Sequence, residues 1–463
     1  MARPPQFDVR MSEAEGLMWR LEKDPYLSST VANITVLDRR ADFARFRHRL
    51  DRASRVVPRL RQRVQPTPVS LTPPTWVDDP AFDLDYHVRH VALPKPGSMR
   101  QLCELATLIA ADPFDRTRPL WGFFVVDGLK GGQGAIIQKL HHTVADGEGS
   151  IRLSMQFIDL ERDAPDPPMP PEGERPAAEQ PAPPPSAAEA LRDLLAGSLR
   201  MPIGISRQLR ELLTDPTQIP TAGMTLAESV RGVLSQLSDV ETAHSPVWTE
   251  RSLRRRLETL RAPLDDTKAA AKALGGTLNT AFICAAAAAA GEYHQKVGAP
   301  VEQLRASMAV STRTRESGSN AFSLVRMLVP TGEMDMAERF RLIHEATTTA
   351  REASATAGLE TVAAVAATLP TSLVIRLAKT QAQTVDFATS NVRGADFPCY
   401  IGGAQIVSNY PIGPLGGVSF NLTLLSYNGS LDMGLNVDAA AVEDPGLLRS
   451  CMEGAFAELG ALG

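Results

Sequence analysis

A chain of 463 residues is longer than one ordinary hydrophobic core supports, so two domains of about 150 to 200 residues each are the starting expectation. Hydrophobic residues at 43% and charged residues at 22% match soluble globular proteins and exclude fibrous or wholly disordered classes. A formal net charge of −5 argues against a nucleic-acid binder, whose domain would normally be basic throughout.

From Met1 to Arg20 the chain mixes acids and polar residues where an export signal needs an apolar run, so it is expected to stay in the cytoplasm. Phe43 to Val57 reads as an amphipathic helix ended by Pro58. Ten arginines lie between Arg39 and Arg63; they form either a solvated face or an attractor for lipid headgroups and coenzyme A phosphates. Arg251 to Arg256 is a second basic run of the same kind. Gln101 to Ala111 is a further helix with Leu102, Leu105 and Leu108 on one stripe. Gly122 to Asp127 and Gly134 to His142 are short apolar runs separated by glycines, as in a hairpin. After Gly147, the residues Ile151, Met155 and Ile158 recur at helical spacing, so a tight turn leads from strand into helix.

Pro165 to Pro185 holds ten prolines and reads as a linker. Residues 187–240 carry leucines at helical spacing interrupted by Pro202, Pro216 and Pro220, as in a crossover of short helices. The expected organisation is therefore 1–160, a linker and crossover at 161–245, and 246–463, with helices and strands mixed in both outer blocks. In the last block Asp265 to Leu274 is a helix stopped by Gly275 and Gly276, and Asn279 is a natural cap for the alanine-rich helix that follows. Strands are expected at Ala306 to Thr312, Phe322 to Val329, Ala404 to Asn409, Ser419 to Ser426 and Leu431 to Asn436, the last two joined through Asn428-Gly429. The most apolar stretches, Ala281 to Ala290 and Thr361 to Ile375, fall short of the roughly 20 residues that span a bilayer. The four cysteines include no Cys-x-x-Cys pair, which points to a reducing compartment and no zinc or redox site.

The chemistry concentrates in His141-His142-Thr143-Val144-Ala145-Asp146-Gly147. Neighbours on a strand face opposite ways, so only one of the two histidines can point into a given cleft, and the pair is no metal site. Imidazole titrates near neutrality, so an oriented histidine can take a hydroxyl proton as the oxygen attacks a carbonyl. His142 is the expected general base, Asp146 an architectural brace of the turn, and Gly147 a backbone position closed to other residues. The competing reading is two strand-end histidines followed by a helix-capping aspartate. Lipase-type, kinase-type and zincin motifs are absent.

Asp115-Arg116-Thr117-Arg118-Pro119-Leu120-Trp121 followed by the histidine motif resembles the bacterial wax ester synthase and diacylglycerol acyltransferase family. Ser311-Thr312-Arg313, Ser390-Asn391-Val392-Arg393-Gly394, Tyr410-Pro411-Ile412-Gly413-Pro414 and Asn421 to Tyr427 are similar to that family's C-terminal blocks. The resemblance implies a mixed α/β fold of two chloramphenicol-acetyltransferase-like halves, a pseudo-dimer with a central tunnel. His142 would stand in that tunnel, between acyl-CoA as co-substrate on one side and a lipid alcohol on the other. The implied reaction is direct acyl transfer to diacylglycerol or a fatty alcohol, with no bound cofactor, no metal and no acyl-enzyme. Pro119, Leu120, Trp121, Asn279, Asn391, Asn421 and Ser426 are implied as substrate-binding or oxyanion candidates, and Arg313 as structural. Two departures stand out: the family's Asn-Asp is Asn279-Thr280 here, and its Asn-Val-Pro-Gly-Pro is Asn391-Val392-Arg393-Gly394-Ala395. The alternatives are an acyl-carrier-protein thioester as donor, or a lipid-binding relative without turnover. Peripheral association with a membrane or lipid droplet is a further expectation.

Overall fold

The computed structural model describes residues 8–67, 73–145, 147–170, 243–311, 322–354, 363, 366, 367 and 369–463. The proposed crossover helices of 187–240, most of the proline linker, Asp146 and Arg313 lie outside the described residues.

In chain order the first half contains α1 (Glu13–Leu21), β1 (Thr30–Leu37), α2 (Phe43–Val56), β2 (Gln62–Gln65), β3 (Thr75–Asp78), the single turn α3 (Leu84–His87), β4 (Val88–Ala92), α4 (Met99–Ala111), β5 (Trp121–Asp127), β6 (Gly134–His141) and α5 (Gly147–Ser154). The second half contains β7 (Arg255–Pro263), α6 (Leu264–Ala273), α7 (Leu278–Lys296), β8 (Gln303–Ser311), β9 (Phe322–Pro330), α8 (Met336–Ser354), α9 (Thr371–Ala382), β10 (Phe387–Arg393), β11 (Tyr400–Ile401), β12 (Ala404–Ile412), β13 (Phe420–Tyr427), β14 (Ser430–Asp438) and α10 (Pro445–Gly460).

Two six-stranded sheets organise these elements: β11-β12-β1-β6-β5-β4 and β7-β14-β13-β10-β8-β9. Strands β11 and β12 belong to the second half of the sequence yet complete the first sheet, with β12 antiparallel to β1. The 246–463 block therefore does not keep its strands to itself. The sheets meet where β12 lies on β14: a Cβ on Gly434 would stand 1.9 Å from the Pro411 carbonyl oxygen, so only glycine admits the approach. Beside it the buried Asp432 accepts from the Asn409 amide at 2.7 Å and from Arg261 Nε at 2.8 Å. These bonds offset the cost of a carboxylate inside a sheet interface.

Helix α2 covers one face of the first sheet, where Phe46 and Leu50 join Phe123, Val125, Ile136 and Leu140. Helix α4 covers the other, through Leu102, Cys103 and Ala106. The expected leucine stripe is corrected here: three-residue steps drift around a helix of 3.6 residues per turn, and Leu108 ends 70% exposed. Met155 is corrected likewise, because α5 ends at Ser154 and leaves it 72% exposed.

Helix α7 is buried nearly all round, with Ala281 to Ala287, Ala289 and Ala290 inside the second core, because small side chains let α8 and α10 pack close. Its N-cap is Thr277, whose hydroxyl accepts from the Thr280 amide at 3.2 Å, and not Asn279. Among the described residues no single helix is long and apolar enough to cross a membrane; α6 and α7 pass such a test only as a pair bent by 98°. The β13–β14 hairpin turns on Asn428 at φ 42° and Gly429 at φ 83°, the left-handed pair that the Asn-Gly dipeptide favours.

Candidate active site

Strand β6 delivers the histidine motif because Gly134 to Leu140 is an apolar run flanked on both sides, by β1 and β5, in unbroken antiparallel register. At its end His141 is 1% exposed. Its backbone amide donates to the Leu120 carbonyl at 3.0 Å, so Pro119-Leu120-Trp121 feeds directly into the strand that supports the motif. Thr143 donates its amide to His141 Nδ1 at 3.2 Å, which makes Nδ1 the acceptor and leaves the ring proton on Nε2. That nitrogen stands 3.3 Å from Glu22 Oε2, with Trp19 and Phe114 edge-on to the ring. With Nδ1 bonded to Thr143 and Nε2 turned inward toward Glu22, His141 is a buttress of the motif.

Glu22 was invisible to sequence reasoning. It follows α1, accepts from Ser28 Oγ at 2.8 Å and from the Ser29 amide, and so ties the end of α1 to the start of β1. Burial alone would raise its pKa, but His141 and the two serines outweigh burial and hold it below the ordinary carboxylate range. Ser29 in turn accepts the His142 amide at 3.0 Å, so one short stretch of backbone fixes both histidines. His142 is half-buried, in the turn that follows the strand, and Gly147 opens α5.

Trp121 is a core residue: its indole donates to the Leu60 carbonyl at 2.8 Å and its ring stacks on His87 at 4.4 Å. His87 donates from Nδ1 to the Trp121 carbonyl at 2.8 Å, and burial pushes its pKa down to about 4, so the imidazole is neutral near pH 7. Lys139, two residues before His141 on the same face, rests over Phe114 and donates to the Asp112 carbonyl; burial lowers its pKa to about 8.

The oxyanion candidates separate. In the register of β10 and β13, Asn391 lies beside Leu424, Arg393 beside Ser426 and Ala388 beside Asn421. Asn391 and Ser426 therefore share one face, while Asn421, three residues from Leu424, faces the other way. Asn421 is 5% exposed, donates to the Pro414 carbonyl at 2.7 Å and accepts from Thr423 Oγ1 at 2.9 Å, which makes it a brace of the 410–414 segment. Asn279 directs its amide to Met308 Sδ at 2.8 Å. Asn391 is exposed at the far end of β10, the strand against which α5 packs, so of these four it lies on the element nearest the motif helix.

The arginine-rich segment is mostly spent inside the molecule. Arg45 and Arg49 hold Asp159 at 3.1 and 2.8 Å, and Arg49 reaches Asp166 at 3.2 Å, clamping the start of the linker to α2. Arg47 pairs with Asp85, Arg55 and Arg61 pair with Asp51, and Arg59 is buried over the Trp76 ring. Carboxylates of the chain itself thus pair with Arg45, Arg47, Arg49, Arg55 and Arg61, so this part of the run is neither a simple solvated face nor a free basic one. Among the described residues no three His, Cys, Asp or Glu side chains gather as a metal site would require.

Comparison with known proteins decides the family. The wax ester synthase/diacylglycerol acyltransferase catalytic domain matches residues 11–282, and the C-terminal domain of the same family matches residues 318–460. The chain belongs to this family. A provisionally named diacylglycerol O-acyltransferase of Mycobacterium tuberculosis is 32% identical over 470 residues, covering 99% of this chain and 93% of the relative. A second from that species, also provisionally named, is 28% identical over 479 residues, covering 96% and 94%. Among solved structures, the wax ester synthase/diacylglycerol acyltransferase of Marinobacter aquaeolei VT8 superimposes with a TM-score of 0.65 at 22% identity, covering 97% of this chain and 98% of that one. The starter condensation domain of rhizomide synthetase, solved with C8-CoA, gives a TM-score of 0.55 at 12% identity, covering 99% and 95%. The mixed α/β fold of this acyltransferase family member is therefore shared with condensation domains.

Proposed function

We propose that this acyltransferase moves a long-chain acyl group from acyl-CoA to the hydroxyl of diacylglycerol or a fatty alcohol, with His142 as general base. The observation that carries the reading is the burial of His141, with Nδ1 bonded to Thr143 and Nε2 facing Glu22 inside the protein, beside a half-buried His142 anchored through its amide. His142 would take the hydroxyl proton while the oxygen attacks the thioester carbonyl. The tetrahedral intermediate then expels coenzyme A as a thiolate, which recovers that proton from the imidazolium. A thiolate leaves readily because its conjugate thiol has a pKa near 8.5. Two findings lend further support: the curated relatives are named for diacylglycerol acylation, and the structural neighbour from Marinobacter is named for wax esters as well. A lipid-dissolved acceptor implies work at a membrane or droplet surface.

The test supplies labelled palmitoyl-CoA with diacylglycerol and, separately, hexadecanol. Ester formation that disappears in His142→Ala while the variant keeps its fold supports the reading. Undiminished turnover in that variant rejects His142 as the base.

A further inference from the structure

A cavity of about 200 Å³ opens between the Pro25–Leu27 turn, α9 and the loop at Gly417, with Tyr26, Leu27, Arg251, Lys379 and Gln383 among its lining residues. We propose that this cavity receives phosphate groups of the coenzyme A donor, with Arg251 and Lys379 as the recognising cations. The proposal rests on the acyl-CoA reading above.

The position of the cavity follows from the backbone. Its wall at Leu27 is two peptide units from Ser29, at most about 7.6 Å between Cα atoms, and Ser29 holds the His142 amide. A donor whose phosphates sat here could extend its pantetheine arm along the same segment toward the histidine motif.

The chemistry fits an anion. Arg251 is buried for the most part, which lowers its pKa, yet its hydrogen bonds go to carbonyls: Nε to Gly417 at 2.6 Å, Nη1 to Trp248 and Glu250 at 2.7 Å each. These neutral acceptors orient the guanidinium and take up Nε and both Nη1 hydrogens, so Nη2 is the nitrogen left to meet a phosphate oxygen, with Asp438 and Asp386 the nearby carboxylates that offset part of its charge. Lys379 Nζ sits 4.5 Å from the Tyr26 ring centroid and 3.0 Å from Asp24 Oδ2. Asp24 also caps the turn through the Tyr26 amide at 3.0 Å. The lysine is therefore held at the rim by contacts on one side and remains partly exposed on the other, with Asp24 as the carboxylate an incoming phosphate would rival.

The experiment compares palmitoyl-CoA with palmitoyl-pantetheine, which has the same thioester and arm but no phosphate. In Lys379→Ala and in Arg251→Gln, kcat/KM for palmitoyl-CoA relative to palmitoyl-pantetheine is expected to fall about tenfold, since each charge-assisted phosphate contact is strong on the hydrogen-bond scale. Lys379→Arg is expected to restore most of the ratio. An unchanged ratio in both variants overturns the proposal, because a merely structural tie between α9 and the turn would affect both donors alike. Calorimetry with adenosine 3′,5′-bisphosphate gives a readout independent of turnover: weaker binding in Lys379→Ala supports the site, and equal binding rejects it. Should neither donor be turned over by the unaltered chain, the acyl-CoA reading fails while this binding result still decides the cavity.

Discussion

Glu22 Oε2 lies 3.3 Å from His141 Nε2, so the carboxylate faces the ring N–H although the two are not well aligned as a hydrogen bond. The contact joins the end of α1 to the end of β6, and through Ser29 it reaches the His142 backbone. Glu22→Gln keeps the size but removes the charge. It is expected to lower kcat about tenfold with little change in KM, since small displacements of a reacting group are costly. Steady-state kinetics with palmitoyl-CoA, alongside a melting curve, would check it; a rise in KM alone contradicts the positioning role.

The two histidines should respond oppositely. His141 is 1% exposed, and His141→Ala leaves a cavity and strands Glu22, an expected loss of about 2 to 4 kcal/mol of stability by urea titration. His142 is half-buried in a turn, and His142→Ala should remove turnover with under about 1 kcal/mol of destabilisation. A stable, inactive His141→Ala protein would reverse this division.

His87 supplies a pH dependence of stability. Burial holds its folded pKa at about 4, against about 6.5 in an unfolded chain, helped by Arg118 and opposed by the Trp121 carbonyl, Asp79 and Asp83. Between those values the unfolded chain binds the extra proton, so stability is intact above about pH 6.5 and falls as the pH drops toward 4. The full loss is roughly 3 kcal/mol for this one group. Urea midpoints from pH 7 to pH 4 should decline more steeply in the unaltered protein than in His87→Phe. Parallel slopes contradict the assignment.

Much of this was legible in the sequence, for reasons that particular residues make plain. Apolar runs bounded by glycine located β5, β6, β13 and β14 to within a residue or two, because local periodicity and turn chemistry specify a hairpin directly. The motif named its own histidines. Glu22 carried no such signal: it stands in a charged stretch, Glu22-Lys23-Asp24, and only the fold brings it to His141. Asn421 and Ser426, five residues apart, face opposite ways by strand alternation alone, but that Ser426 shares its face with Asn391 emerges only from the register of β10 and β13. Asn279 lost the cap to Thr277 because the helix starts two residues earlier than its side chain suggested. The arginines of α2 read as a surface pattern, whereas Asp159 and Asp166, more than a hundred residues on, make them a clasp.

Gly434 is a direct probe of how the sheets meet. Its missing side chain admits the Pro411 carbonyl, so Gly434→Ala forces β12 and β14 apart and should cost about 3 kcal/mol. Because Asp432 and Asn409 bridge the same seam, activity should drop with stability, measured as a shared decline across a temperature series. A fully stable Gly434→Ala protein would mean the sheets tolerate separation.

The loan of β12 to the first sheet reaches back to the moment of synthesis. Until residues 404–412 leave the ribosome, β1 presents a bare hydrogen-bonding flank with nothing native to occupy it. Most of the polypeptide must therefore be made before its opening third can close, and a product cut short before Ala404 would carry a sticky border that invites self-association.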